Sequence, residues 1–320
     1  MKLRLRTSQA ILLLLLTATQ VLRAQTGSGV TFLRMETAAP SAGMAGAGAL
    51  LPERTDAIHG NAAGVLFGTS RGGAEVSVGP LGGSASDRLW SGAGFWSADG
   101  RNALLAGVRR LAGVEIPMTD DKGFPAGTAR PWDLSAEAGY ARRFGSRVAV
   151  ALTARYIRSD LDLGDSPIQG VSFDLAAALR GKFAGSDKIG WVAGIRVADL
   201  GPDLRASDGQ RLSLPSRGSV EGLFTWNPHR NHAVHLCADL GYRWADALFD
   251  AAFGVEYRFL QYGVLRAGYC TQTPCGTDGH AAVGCGFIIG PVRGDVAYRF
   301  GGAENDPSDQ SFLLTVGFRL

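Results

Sequence analysis

Residues 311–320 alternate with one exception, Leu313: Phe312, Leu314, Val316, Phe318 and Leu320 fall on one face of an extended strand, and Ser311, Thr315, Gly317 and Arg319 on the other. Strand side chains point to opposite faces in turn, so this run builds a sheet with one apolar and one polar face. The same parity recurs through most of the chain, with charge repeatedly opposite the apolar face. Behind a secretory leader, that pattern predicts a closed barrel with lipid outside and water inside.

The leader is residues 1–24. Lys2, Arg4 and Arg6 head an apolar stretch from Ala10 to Leu16, and Ala24 is the cleavage residue before Gln25. No uninterrupted apolar segment of about 18 residues follows, so no helix is expected to cross a bilayer. A membrane form of this chain must then be a closed sheet, because lipid cannot satisfy open backbone groups. Lys+Arg 32 against Asp+Glu 29 gives +3, and the charges are scattered, which leaves no footprint for nucleic acid.

From about Gly73 onward there are about fourteen strand candidates separated by Gly, Asp, Asn, Ser and Pro. In residues 148–157, Val148, Val150, Leu152 and Tyr156 oppose Thr153 and Arg155; in residues 233–244, Val234, Leu236, Leu240 and Tyr242 oppose His235, Asp239 and Arg243. Short links near Asp99, Gly145, Gly185, Asn227, Leu260 and Gly290 broadly alternate with longer ones, of which residues 110–131 and 201–215 are the longest. Membrane barrels keep short turns in the periplasm and longer loops outside. An even strand count puts both barrel ends in the periplasm, so residues 25–72 are expected to start on that side, before a barrel of residues 73–320. Aromatics near the segment ends, among them Tyr140, Tyr156, Tyr257 and Phe300, match interfacial girdles.

Ahead of the first strand, Phe32-Leu33-Arg34 is followed by Ser41-Ala42-Gly43-Met44-Ala45-Gly46-Ala47-Gly48, then Asp56-Ala57, then Asn61-Ala62-Ala63-Gly64-Val65. This order resembles the N-terminal signature of the PorV/PorQ family, itself similar to FadL-type fatty-acid transporters. Ala45 stands where that run prefers glycine, Ala62 replaces the proline of its Asn-Pro-Ala-Gly box, and the chain ends in Leu320 instead of an aromatic. Small residues let a backbone pass through crowded space, and methionine fills irregular gaps. Residues 30–66 are therefore expected to form a hatch that enters or caps the barrel from the periplasm, with Phe32, Leu33, Gly43, Met44, Gly46, Ala47, Asn61 and Gly64 as its motif.

Little in the chain points to catalysis. The glycines at 43, 46 and 48 do not have dinucleotide-loop spacing and no Walker lysine follows. His229, His232 and His235 run from a turn into a strand, where His232 and His235 face opposite sides, and read as rim residues. Asp120 and Asp121, and the acids of residues 304–309, supply too few converging oxygens for calcium. Cys270 and Cys275 flank a turn-like stretch and form a candidate disulfide, whereas Cys237 and Cys285 read as small apolar residues. No zinc spacing and no nucleophile elbow occur, so neither enzyme, metal nor cofactor is expected.

The lumen face mixes Glu137, Asp174, Glu221, Asp239 and Glu256 with Arg155, Arg180, Arg243 and Arg258. Opposite charges on neighbouring strands pair and hold a plug or ordered water, which favours a filled barrel over an open pore. The resemblance implies an outer-membrane protein of type IX secretion that binds secreted clients or translocon subunits through its outer loops. The alternative is a FadL-like channel for a small hydrophobic molecule, which needs an apolar pocket lined by Phe32, Leu33, Met35 and Met44.

Overall fold

The computed structural model describes residues 30–81, 87–162, 166–183, 186–206, 209, 211–260, 262–272, 279–301 and 310–320. The expected signal peptide, Cys275 and the acids of residues 304–309 lie outside the described residues. The strands are β1 Gly72–Leu81, β2 Arg88–Trp96, β3 Asn102–Ala112, β4 Ile116–Thr119, β5 Pro125–Ala129, β6 Trp132–Phe144, β7 Val148–Asp160, β8 Ile168–Lys182, β9 Ile189–Leu200, β10 Leu204–Arg205, β11 Arg211–Leu212, β12 Arg217–His229, β13 His232–Arg243, β14 Leu248–Phe259, β15 Gly263–Cys270, β16 His280–Ile289, β17 Val292–Phe300 and β18 Ser311–Arg319. Fourteen of them close an antiparallel barrel, while β4–β5 and β10–β11 are two-stranded ribbons inside the long loops. Closure is direct: Gly73 on β1 pairs with Phe95 on β2 and with Arg319 on β18.

Parity decides which face meets lipid. On β7, Val150, Leu152 and Tyr156 point outward and are exposed, while Ala149, Ala151, Thr153 and Arg155 point inward and are buried. Val76, Leu104, Leu175, Leu236, Leu240 and Val316 continue the apolar exterior around the wall. Exposed Trp96, Tyr140, Phe144 and Tyr257 sit toward the periplasmic end and Trp90, Tyr156 and Phe300 toward the outer end, as interfacial aromatics do. No helix among the described residues is long and apolar enough to cross a membrane; the strands cross it.

The path of the N-terminal segment corrects the sequence expectation. The turn Thr31–Arg34 lies at the outer end of the lumen: Arg109 Nη1 on β3 donates to Leu33 O at 2.8 Å, and Arg34 pairs at 2.5 Å with Asp246 in the outer turn between β13 and β14. The chain then descends. Ala39–Ala42 packs on β16–β18, with Ala39 N donating to Thr315 Oγ1 at 2.8 Å, and Ala62–Phe67 lies against β6–β8, where Arg143 Nη1 donates to Leu66 O at 2.9 Å. An even strand count fixes where β1 starts, not the route before it, so residues 30–71 fill the barrel from the outer end downward. A second correction concerns the link expected at Asn227. Strand β12 runs past Pro228 to His229 across a bulge, and the turn falls on Arg230 and Asn231.

Candidate functional site: the hatch, its buried charges and the outer ribbon

Small residues bring the hatch within backbone reach of the wall. Met44 is fully buried against Gly254 on β14 and Gly268 on β15; a Cβ on Gly254 would stand 2.7 Å from Met44 Cβ, and one on Gly43 3.1 Å from Gly284 Cα on β16. Ala47, Leu50, Ile58, Ala63 and Val65 complete an apolar core with Ala93, Phe95, Leu105, Ala141 and Leu223 of the wall. The backbone is left-handed at Ala45 (φ 50°) and Gly46 (φ 89°), which explains why a glycine suits position 45 as well. Gly64 is buried beside Leu50.

Phe32 and Leu33 meet a different cluster. They pack on Ile157, Ile168, Leu204 and Leu214, so the loop of residues 201–215 folds two leucines inward as a cover on the hatch. This apolar contact is filled by the protein itself. A cavity of about 160 Å³ between the hatch and the wall is lined by Arg54, Arg109, Asp199 and Arg217 together with Leu33 and Met35, among others. Of the residues expected to line an apolar pocket, Leu33 and Met35 border this mixed cavity, Met35 also borders a smaller one beside Phe312 and Leu313, and Phe32 and Met44 are buried in packing.

Asn61 holds the lower hatch. Its Nδ2 donates to Glu221 Oε2 on β12 at 2.6 Å, and its Oδ1 accepts from Ala63 N at 3.2 Å, capping the turn that follows. Ala62 takes the first position of that turn, where a proline fits equally well, so its substitution leaves the local geometry intact. Asn61→Ala is expected to cost about 1–3 kcal/mol by stranding a buried carboxylate and a buried N–H. Limited proteolysis of the hatch in detergent should accelerate accordingly; an unchanged digestion rate would refute the anchoring role.

The lumen charges form paired networks. Glu137 on β6 accepts from Arg109 Nε at 2.8 Å, Arg155 Nε at 3.0 Å and Ser135 Oγ at 3.1 Å, and faces His59 Nδ1 of the hatch at 3.0 Å. Arg155 also bonds Asp174 and Asp199, and Arg196 reaches Asp174 at 2.6 Å. Glu256 pairs with Arg266 and Arg258 at 2.7 Å each, and His235 Nε2 stands 3.9 Å away. Arg217 pairs with Asp239 and Asp250, with Arg243 3.4 Å from Asp250. Arg180 stands apart at the periplasmic end, donating to Ser146 O at 2.7 Å and lying over the Phe67 ring at 5.0 Å. In the hatch, burial pushes His59 below its ordinary pKa against the opposing pull of Glu137. Burial would raise the Asp56 carboxyl, but its bidentate partner Arg54 holds it below the usual range.

Several of these partners were not singled out from the sequence: Arg109, His59, Arg54, Arg217, Asp250 and Asp199. Cys270 Sγ lies 3.0 Å from Gln272 O, and Cys275 is outside the described residues. His232 Nδ1 meets Tyr257 Oη at 2.7 Å on the rim, whereas His235 is buried beside Thr225 at 3.0 Å. Asp120 Oδ1 accepts from Lys122 N and Phe124 N at 2.9 Å each, and so shapes the tip of the β4–β5 ribbon.

Matches to known proteins agree with this geometry. The sequence pattern of a family described as type IX secretion system protein PorV matches residues 18–236. The chain belongs to the PorV family. No curated protein matches it by sequence. Among solved structures, this PorV-family barrel is similar to the Pseudomonas putida toluene transporter TodX at 14% identity and a TM-score of 0.50, covering 93% of this chain and 99% of that one. A TodX deltaS2S3 mutant, described as a monoaromatic hydrocarbon channel, gives 13% and 0.54 over 88% and 98%. A Pseudomonas aeruginosa FadL homologue gives 11% and 0.51 over 88% and 98%. At such identities the likeness is one of fold, a FadL-like barrel. The PorV-family chain is an outer-membrane barrel of bacteria, and its family and fold are those of secretion and transport barrels.

Proposed function

We propose that this barrel serves type IX secretion as a docking platform, holding a secreted client or a translocon subunit at its outer face above a lumen closed by the hatch. The observation that carries this reading is the β4–β5 ribbon. Its base is closed by Gly113 N donating to Pro131 O at 2.9 Å, and it exposes Ile116 and Phe124 beyond the barrel rim. Exposed apolar side chains on a braced hairpin outside the lipid belt suit protein contact, and a rigid scaffold with a projecting loop is the common way to present one. The other long loop turns Leu204 and Leu214 inward, so of the two longest loops the ribbon is the one that projects apolar side chains. Passage of a small hydrophobic molecule finds less support, because Phe32 and Met44 are consumed in packing, while Leu33 and Met35 line a cavity that they share with many charged side chains and Met35 also borders a small cavity of about 40 Å³ beside Phe312 and Leu313.

Replacing residues 114–130 by a short Gly-Ser turn is the test. Barrel folding, read from heat-modifiable migration, should be unchanged. Secretion subunits or clients that co-purify with the wild-type chain in detergent should be lost from the variant. Equal recovery of those proteins would reject the docking role.

A further inference from the structure

We propose that the outer half of the wall formed by β2, β3, β6 and β7 holds one phosphate-bearing, acylated glycolipid of the outer leaflet, its phosphate between Arg110 and Arg158 and an acyl chain in the shallow depression beneath. Strand parity makes this arc exceptional. Among the described residues of the fourteen barrel strands, Arg88, Arg110, Arg142 and Arg158 are the arginines turned outward, and all four lie on these strands. The lumen-facing Arg54, Arg155, Arg217, Arg266 and Arg293 have carboxylate partners; Arg88, Arg110 and Arg158 have none among the described residues.

Register assembles the site. Trp90, Arg110, Leu134 and Arg158 stand directly opposite one another across the four strands, and Trp132 lies one row further out, beside Asp160. Two strand spacings put the Arg110 and Arg158 backbones about 10 Å apart. Both guanidiniums converge on the Trp132 ring, at 6.0 and 5.3 Å from its centroid, which presets them around one position. Arg158 Nε is shielded from water and bonds no protein acceptor. Arg88 stands in the outer row with Asp160, and none of the three guanidiniums is ion-paired among the described residues, which leaves them open to an anion. A planar guanidinium fork matches a phosphate, and a loosely hydrated one binds it well at an interface.

The wall below supplies the second half of the site. Four residues toward the bilayer centre, about 13 Å along the strands, Gly94, Ala106, Ala138 and Ala154 form one opposed row. Exposed Val108 and Tyr156 border this row above, and Leu104 and Leu152 below. The result is a shallow apolar trough at hydrocarbon depth under a cationic headgroup site. An acidic protein segment would match the guanidiniums and leave the trough unfilled; an anionic acylated lipid matches both.

Native mass spectrometry of the intact barrel in non-ionic detergent, titrated with bisphosphorylated lipid A, tests the assignment. One lipid should remain bound to the wild-type chain, and the double variant Arg110→Gln/Arg158→Gln should bind at least about tenfold more weakly. Ala138→Phe, which fills the trough without touching a charge, should also weaken retention. Arg142→Gln, at the periplasmic end of β6, should not. Heat-modifiable migration establishes that each variant is folded. Dephosphorylated lipid A should not bind, and inorganic phosphate at the same concentration should not compete. Wild-type retention by the double variant would overturn the proposal, as would an equal loss in Arg142→Gln, full competition by inorganic phosphate, or a double variant that keeps the lipid and loses only a protein partner.

Discussion

Replacing Gly268 by valine is expected to unseat the hatch and turn a closed barrel into a conducting one. Gly268 faces the lumen on β15, directly opposite Gly254 on β14, and a Cβ built on it would overlap the Met44 backbone. Neither side can yield easily, because one is a hydrogen-bonded strand and the other the backbone of the hatch. Overpacking of a close-packed interior usually costs about 1–3 kcal/mol, and a clash of backbone with backbone belongs at or above the top of that range. The inexpensive response is for Met44 and its neighbours to lift away, which withdraws the apolar core from the lumen centre. In planar bilayers the wild-type chain should stay closed while Gly268→Val shows stable open steps, with hatch proteolysis accelerated in parallel. Ala267→Val, one residue away and facing lipid, should behave as wild type. Silent bilayers with a protected hatch would show that the notch of glycines does not seat Met44.

Parity made most of this barrel readable. Wherever Val, Leu and Phe alternate with Thr, Asp and Arg, a one-residue shift would turn every apolar side chain inward, so the pattern specifies both strand and face. Thus Arg155, Asp174 and Glu256 could be assigned to the lumen before any coordinate was known. Their partners could not. The contact between His59 and Glu137 joins residues 78 apart, and it depends on a hatch whose route parity does not encode.

Two misses have local causes. Arg109 is the last residue before the loop expected at residues 110–131, and its place in the wall shows only once β3 is seen to continue to Ala112. Asp199 would face outward by simple alternation from Ile195. A register shift between β8 and β9, with Asp199 at φ 55°, turns it inward to Arg155 and brings its backbone N to 2.8 Å from Asp174 Oδ1. Bulges of this kind re-aim a single side chain and leave no mark in the period. The same limit applies to the hatch: its small residues announced close packing, but they do not tell which end of the barrel the chain meets first.

Glu137→Ala is expected to be the most destabilising single change in the lumen wall. The surrounding network balances Arg109, Arg155 and Arg196 against Glu137, Asp174 and Asp199, and Arg109 and Arg155 are each about 2% exposed. Removing Glu137 leaves one positive charge uncompensated and takes from His59 the acceptor that ties the hatch to β6. Breaking a buried pair by deleting one partner costs about 3–5 kcal/mol, far more than the intact pair contributes to stability. The cavity of about 160 Å³ beside Arg109 and Asp199 admits water to this region, so the lower end of that range applies. Chemical unfolding in detergent should show the loss as a lower midpoint with an unchanged slope. Deleting the charges as a pair, with Glu137→Leu and Arg109→Met, should recover much of it, because the stranded guanidinium is gone while shape is roughly kept. If the single variant unfolds at the wild-type midpoint, the guanidiniums are solvated well enough to stand alone, and the network does not fasten hatch to wall.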